Sequence, residues 1–283
     1  MQTLNPDVLV SGLGFPECPR WHQGRLWLSD MNPKNVLTVE DDGRTQVQFT
    51  VAGTPAGLGF RADGSLLVVS MGDRRLLRWD GRDLAEVADL SGLERVRIND
   101  LVADAAGRAY IGGFGYDREA GEPRQAGNVY LVTPDGAAHV AVHGPIFPNG
   151  LAITPDGRRL IVAETFGRCL SAYDIAEDGS LSNGRLFADL GKVWPDGICL
   201  DAEGGVWLGS PPTGEFLRVL EGGEVTHRVP VAGKWAVACL LGGEDRRTLY
   251  LCTARATEEE RSRGEGEGWI EVVRVDIPGA GRP

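Results

Sequence analysis

This chain has little of what marks membrane, secreted or nucleic-acid-binding proteins. Its 283 residues carry 29 lysines and arginines against 40 aspartates and glutamates, which gives a formal net charge of −11. Such a surface repels phosphate backbones and anionic lipid. No apolar run is long enough to span a bilayer, and the first residues lack the basic start and apolar stretch of a secretory signal. We therefore expect a cytoplasmic protein with no nucleic-acid or membrane partner.

Cysteine is scarce, and the familiar catalytic motifs are missing. The five cysteines are odd in number and show no C-x-x-C spacing, which favours free thiols over disulfides or a thiolate metal site. The sequence contains no G-x-S-x-G, H-E-x-x-H or P-loop motif, and its four histidines are scattered. No long apolar stripe of period 3.6 is present, so helices should be few.

What the chain has instead is a strand–turn–strand unit that recurs about six times. The clearest copies are residues 57–70, 100–113, 150–164 and 197–210, and the looser ones are residues 18–30 and 239–253. Their turn glycines lie 40 to 50 residues apart, which is the spacing of β-propeller blades. We predict an all-β, six-bladed β-propeller with four-stranded antiparallel blades, formed as a single domain by residues 1–283.

The last blade is one strand short at the C-terminus. Only the strand pattern of residues 270–277 follows its inner hairpin, whereas residues 8–11 form a spare strand near the N-terminus. We predict that the N-terminal strand joins the C-terminal blade, because this closes the ring and covers an open sheet edge.

One column of equivalent positions carries oxygen-bearing side chains. Counting eight residues back from the turn glycines gives Ala56, Asn99, Asn149 and Asp196, and seven residues back in the shorter first unit gives Glu17. In blade six the position falls on Val237 or Ala238, depending on where a gap is placed. The column lies just before the innermost strand, so these residues should meet around the propeller axis.

Two carboxylates and two amides without histidine or cysteine predict a site for a hard divalent cation. Glu17, Asn99, Asn149 and Asp196 are the expected metal ligands, and Ca²⁺ fits best because it takes six to eight oxygens. Mn²⁺ and Mg²⁺ are possible, and Zn²⁺ is less expected from these ligand types. The alternative is that Asn-Gly and Asp-Gly only form turns, but that explains neither Glu17 nor the shared column.

These motifs resemble the regucalcin/gluconolactonase family, also called the senescence marker protein-like family. The resemblance is carried by FPECPRW around Glu17, RINDL at residues 97–101, FPNGLAITPDG at residues 147–157 and WPDGICLDAEGGVWLG at residues 194–209. It covers essentially the whole chain. Members are six-bladed propellers that bind a divalent metal in the central channel and hydrolyse lactones.

The resemblance implies a role for each matching residue. Glu17, Asn149 and Asp196 would hold the metal, and Asn99 would face metal or substrate. Arg97 would bind substrate hydroxyl or carbonyl groups, and Asp196 would also be the general base. Family members that act on sugar lactones carry a substrate-binding carboxylate in the blade-three loop. Here residues 114–126 offer several candidates without singling one out, namely Asp117, Glu119 and Glu122.

The predicted function is therefore opening of a small lactone, such as a sugar lactone, by a metal-dependent hydrolase. The metal polarises the carbonyl, and Asp196 removes a proton from water. Two alternatives remain from the sequence. One is a metal-dependent aryl-esterase or organophosphate hydrolase, and the other is a non-catalytic propeller that binds a metal or ligand. Phe15, Phe147, Trp194 and Trp235 flank the column and are expected either to line the pocket or to pack between blades.

Overall fold

The chain folds into six antiparallel sheets arranged as the blades of a β-propeller. The computed structural model describes residues 1–257, 259–260 and 263–281. In chain order the strands are β1 (Gln2–Thr3), β2 (Asp7–Leu13), β3 (Pro16–His22), β4 (Arg25–Asp30), β5 (Asn35–Val39), β6 (Thr45–Thr50), β7 (Pro55–Phe60), β8 (Leu66–Ser70), β9 (Arg75–Trp79), β10 (Leu84–Asp89), β11 (Ile98–Ala103), β12 (Ala109–Gly113), β13 (Asn128–Val132), β14 (Ala138–His143), β15 (Pro148–Ile153), β16 (Arg159–Glu164), β17 (Cys169–Ile175), β18 (Leu181–Asp189), β19 (Ile198–Leu200), β20 (Val206–Ser210), β21 (Glu215–Val219), β22 (Val225–Pro230), β23 (Trp235–Gly242), β24 (Thr248–Arg255) and β25 (Glu267–Arg274).

Blades one to five each pair four consecutive strands, from β3–β6 through to β19–β22. The described residues are almost entirely strand, turn and loop, so the predicted six-bladed all-β architecture is confirmed. Among these residues, no helix has the length and apolar character needed to cross a membrane.

The core lies between the blades rather than within a single sheet. Inner strands such as β8 and β12 are buried at every position, whereas the outer strands β6 and β10 are largely exposed. An inner strand is buried on both faces because each face packs against a neighbouring blade. Its sequence is therefore a nearly continuous run of apolar residues. Five hydrophobic clusters fill these interfaces. All five cysteines are free, and four of them are buried.

The ring closes as the sequence predicts. Strand β2 pairs antiparallel with β25, which places Val10 opposite Ile270 and makes blade six the sheet β2-β25-β24-β23. The short strand β1 also adds in parallel to the outer edge of blade five, with Gln2 opposite His227. The N-terminal segment therefore contacts two blades, and it covers an outer edge in each of them.

This closure leads to a testable difference between two neighbouring valines of β2. Val10 is buried in the largest core cluster, whereas Val8 is 56% exposed. We expect Val10→Asp to lower the free energy of unfolding by about 3 kcal/mol or more, because it buries an unpaired charge. Val8→Asp serves as the matched control and should cost less than about 1 kcal/mol. Chemical denaturation of both variants measures the difference, and equal losses would contradict the closure.

Candidate metal centre and mouth of the channel

The column residues lie at one end of the propeller. Strand register pairs Pro16 with Asp30, Ile98 with Gly113 and Pro148 with Glu164, and in each case the column residue comes next in the chain. The turns that leave the second strand of each blade are therefore at the same end. We call this end the mouth face, and it includes residues 114–127 and 165–168 and the segments 144–147 and 191–195 that lead into inner strands.

Backbone hydrogen bonds between neighbouring blades identify the blade-six position of the column. The N–H of Gly150 donates to the carbonyl oxygen of Asp196 at 3.2 Å, and the N–H of Gly197 donates to that of Val237 at 3.0 Å. Val237 therefore takes the place in blade six that Asp196 has in blade five, which is one of the two positions that the sequence predicts.

A β-bulge follows the column position in most blades. The register shifts between Glu17 and Arg20, between Ile98 and Leu101, and between Pro148 and Leu151. A bulge interrupts the alternation of side chains and re-aims the residue beside it. This explains how strands that are otherwise buried between blades can present a polar side chain at one end.

The glycines after Asn149 and Asp196 are needed for close packing rather than for turns. A Cβ atom on Gly150 would lie 2.6 Å from the carbonyl oxygen of Asp196, and one on Gly197 would lie 2.3 Å from the Cβ atom of Ala238. Neither glycine has a positive φ. The Asn-Gly and Asp-Gly pairs therefore mark where neighbouring inner strands approach each other, and the turn explanation for them is wrong.

Asn99 and Asn149 are in direct contact. The side-chain amide of Asn99 donates a hydrogen bond of 2.9 Å to Oδ1 of Asn149. Nδ2 of Asn149 in turn donates to the hydroxyl of Thr165 at 3.2 Å, and that hydroxyl donates to the carbonyl oxygen of Pro195 at 2.8 Å. Thr165 thus fixes which end of the Asn149 amide faces Asn99, and it ties this residue to the segment that carries Asp196.

Burial raises the proton affinity of both acidic column residues, Glu17 and Asp196. Oε2 of Glu17 accepts a hydrogen bond of 2.8 Å from the backbone N–H of Cys18. Burial, reinforced by the charge of Asp100, nevertheless raises the pKa of Glu17 to about 7. Burial and the charge of Glu17 raise the pKa of Asp196 well above its ordinary value, and Oδ1 of Asp196 is buried without a hydrogen-bond partner. A bound cation would relieve both conditions.

A buried ion pair lies next to two of the column residues and links their blades. Arg20 donates hydrogen bonds to Asp100 at 2.9 Å and to the carbonyl oxygen of Leu101 at 2.6 Å. Both charged side chains are almost fully buried. The pair therefore joins blade one, next to Glu17, to blade three, next to Asn99. The sequence alone does not reveal this pair, because 80 positions separate its two members.

Arg97 lies at the mouth face but is paired within the protein. Its guanidinium donates to both carboxylate oxygens of Glu119, at 3.0 and 2.7 Å. Glu122 similarly pairs with Arg95, and Asp117 accepts the backbone N–H of Ala120 at 3.0 Å. These ion pairs therefore attach the blade-three loop to the segment that carries Arg97. It places none of the three loop carboxylates in the column.

Aromatic side chains form a continuous row on the mouth face. The ring centroid of Phe147 lies 4.1 Å from that of Phe114 and 4.8 Å from that of Phe166, and Phe166 lies 5.3 Å from Trp194. On the other side of the mouth, Phe15 and Trp235 are 6.3 Å apart in an edge-to-face arrangement. The sequence predicts four of these residues to flank the column. Phe114 and Phe166 extend the row, and their positions become evident only in the folded structure.

The donor set is compatible with a hard divalent cation. In the part of the chain that the structure describes, no three His, Cys, Asp or Glu side chains form a metal-binding group. A centre at the column would therefore rely on two carboxylates together with amide oxygens, which is a combination that calcium accepts. The unpartnered Oδ1 of Asp196 is free to serve in it, whereas Oδ1 of Asn149 would exchange its hydrogen bond with Asn99 for the cation.

Comparison with known proteins identifies the family. The family model described as "SMP-30/Gluconolactonase/LRE-like region" matches residues 15–255. The chain belongs to this family. The resemblance seen in the sequence motifs is thereby confirmed.

Individual relatives of the SMP-30/gluconolactonase family align with nearly the whole chain. The 6-deoxy-6-sulfogluconolactonase of Pseudomonas putida is 29% identical, and the alignment covers 94% of this chain and 93% of the relative. The pentonolactonase XacC of Haloferax volcanii is 27% identical over 98% and 95% of the two chains. The crystal structure of regucalcin from Agrobacterium tumefaciens, described as a calcium-binding protein, superposes with a TM-score of 0.79 at 23% identity and covers 98% of both chains. That similarity shows the shared fold.

Proposed function

We propose that this protein is a divalent-metal-dependent lactonase that opens the ring of a small lactone. The observation that carries the proposal is the column itself, where burial raises the pKa of both Glu17 and Asp196 beside the hydrogen-bonded pair of Asn99 and Asn149. Membership of the SMP-30/gluconolactonase family supports it. Two relatives that align over almost their full length are named as lactonases, one for a sulfonated gluconolactone and one for a pentonolactone.

The column residues would hold the cation. Glu17, Asn149 and Asp196 are the proposed ligands, with Asn99 beside them facing metal or substrate, and Ca²⁺ is the ion that fits this oxygen-only set best. When bound, the cation supplies Lewis acidity, which polarises the lactone carbonyl and stabilises the negative charge that develops on its oxygen. Thr165 and the Arg20–Asp100 pair act as positioning residues for this set.

Two side chains of the protein would carry out proton transfer and orient the substrate. Asp196 is the proposed general base, either directly or by changing from metal ligand to base, and its Oδ1, which has no hydrogen-bond partner in the protein, would accept the proton of the attacking water. Arg97 would orient the substrate through its hydroxyl or carbonyl oxygens, and to do so it must exchange part of its contact with Glu119. That ion pair is solvent-exposed, so it opposes the exchange only weakly.

A substrate panel tests the proposal against its rivals. Purified protein is assayed in the presence of Ca²⁺ on aldonolactones, on aryl esters and on phosphotriesters under identical conditions. We expect kcat/KM to be larger for the lactones than for the aryl esters or the phosphotriesters. Preference for esters or phosphotriesters would instead indicate the related hydrolase function, and metal binding without turnover of any substrate would indicate a binding protein.

The role of Thr165 gives a second prediction. Replacement by valine keeps the shape of the side chain but removes the hydroxyl that orients Asn149. We expect Thr165→Val to weaken Ca²⁺ binding by roughly 10- to 100-fold, as is usual when a residue that orients a ligand is lost. Isothermal titration calorimetry measures the change. Thr213→Val is the matched control, because the Thr213 hydroxyl donates only to the carbonyl oxygen of Ser210 in a blade-five turn. Equal Ca²⁺ affinities of the unmodified protein, Thr165→Val and Thr213→Val would refute the role of Thr165 in orienting Asn149.

A further inference from the structure

Three arginines converge on one aromatic pair at the mouth face. The guanidinium carbons of Arg118 and Arg124 lie 5.5 and 4.9 Å from the ring centroid of Phe166, and that of Arg168 lies 5.9 Å from the ring of Trp194. Phe166 and Trp194 are themselves in edge-to-face contact. Arg118 and Arg124 come from the blade-three loop and reach the turn of blade four, so the loop folds across the boundary between these blades.

These three cations lack the carboxylate partners that their neighbours have. Arg95 and Arg97 on the same face pair with Glu122 and Glu119, whereas none of Arg118, Arg124 and Arg168 forms an ion pair with a described residue. In a chain whose formal net charge is −11, these arginines bring positive charge without carboxylate partners to one pair of aromatic rings. Like charges held together repel each other, and a bound anion removes that cost.

The way these arginines are held leaves them able to bind a ligand. A contact between a guanidinium and an aromatic ring does not consume the oxygen-seeking N–H donors as an ion pair with a carboxylate does, so these donors stay available for a ligand. All three arginines are exposed. The cluster is also tied to the column, because Phe166 directly follows Thr165, whose hydroxyl accepts a hydrogen bond from Asn149.

We propose that the substrate is a lactone with a second, permanently anionic group, such as a sulfonate, phosphate or carboxylate, and that Arg118, Arg124 and Arg168 bind this group. The proposal rests on the lactonase function proposed above. The guanidinium fork matches the paired oxygens of such anions, and these charge-assisted hydrogen bonds are stronger than those between neutral groups. A neutral sugar lactone offers only hydroxyl groups, which give three cations no comparable partner.

Kinetics on matched substrates test the proposal. The probes are glucono-δ-lactone, its 6-phosphate, its 6-deoxy-6-sulfonate and the lactone of the corresponding dicarboxylic acid. In the unmodified protein, kcat/KM for at least one anionic lactone should exceed that for the neutral lactone by roughly 100-fold, and the preference should shrink as salt is added. The three anionic probes identify which group the site prefers. Equal kcat/KM for neutral and anionic lactones would overturn the proposal.

Charge-removing variants locate the site. Arg118→Gln, Arg124→Gln and Arg168→Gln should each lower the ratio of anionic to neutral kcat/KM by roughly tenfold or more. Arg158→Gln is the matched control, because Arg158 is an exposed arginine in the β15–β16 turn at the opposite end of the propeller. A ratio that stays the same in the three cluster variants, or falls equally in the control, would overturn the assignment.

A binding measurement separates this proposal from the lactonase function. Sorbitol 6-phosphate and sorbitol cannot react, so calorimetric titration with each compares the anionic and neutral ligand directly. Tighter binding of the phosphate, lost in Arg124→Gln, would establish the anion site even if no lactone were opened, in which case the lactonase proposal alone would fail. Equal binding of both ligands would overturn the anion site even if neutral lactones were hydrolysed.

Discussion

Asp196→Asn is expected to lower kcat/KM for lactone hydrolysis by at least on the order of 10³-fold. The substitution keeps the size of the side chain but removes the negative charge that would hold the cation and the base that would accept the proton. Steady-state assays at saturating Ca²⁺ measure the loss. Asp156→Asn is the matched control, because Asp156 lies in the exposed β15–β16 turn away from the mouth face. The activity of this control variant should equal that of the unmodified protein.

The same variant separates a catalytic role from a structural one. Without metal, the carboxylate of Asp196 opposes folding, because burial and the neighbouring charge of Glu17 raise its pKa. Asp196→Asn should therefore unfold at the same or a higher temperature than the unmodified protein when both are free of metal. A variant that lost activity together with stability would point to structural damage, and one that kept full activity would rule out Asp196 as the base.

Divalent metal is expected to stabilise the protein, and to do so more strongly as the pH rises. The pKa of Glu17 is raised from 4.5 to about 7 in the folded, metal-free protein. The folded state therefore binds this proton more tightly than the unfolded state, and metal-free stability falls as pH increases through that window. A cation binds the ionised carboxylates, so its affinity increases over the same window and levels off above it.

Differential scanning calorimetry at several pH values tests this dependence. At a Ca²⁺ concentration about 100 times its Kd, the gain should be about 2.7 kcal/mol, which corresponds to a rise in Tm of a few degrees at neutral pH. The gain should shrink towards pH 5 and be absent in Glu17→Gln. A Ca²⁺ effect of equal size at pH 5 and pH 8, or one retained in Glu17→Gln, would contradict a centre built on these carboxylates.

The sequence was sufficient to predict the blades and the closure, and strand register places Glu17, Asn99 and Asn149 at equivalent positions, as the predicted column requires. The repeat spacing predicts six blades because each inner hairpin must bury apolar side chains on both faces, and that requirement recurs in every unit. The missing last strand predicts the partner of β2 because an open edge must be covered. Glu17, Asn99, Asn149 and Asp196 align because a structural repeat places equivalent positions at one height around the axis.

The sequence did not reveal the contacts that join different blades. Thr165 and the pair of Arg20 with Asp100 carry no local signal, since their partners lie far away in the chain and meet only after the ring has closed. The Asn-Gly motif was open to a turn interpretation because the close approach of two inner strands cannot be read from one strand. The cluster of Arg118, Arg124 and Arg168 likewise depends on how the blade-three loop folds over blade four.

Opening of the lactone is expected to require a cation held by the column, and removing and restoring that cation shows whether it does. The protein is stripped with a chelator, dialysed, and assayed for aldonolactone hydrolysis before and after Ca²⁺, Mn²⁺, Mg²⁺ or Zn²⁺ is added back, with the Asp196→Asn variant in parallel. We predict that stripping abolishes hydrolysis, that at least one ion restores it, and that no ion restores it in the variant. Full hydrolysis by the stripped protein would show that lactone opening needs no cation at the column.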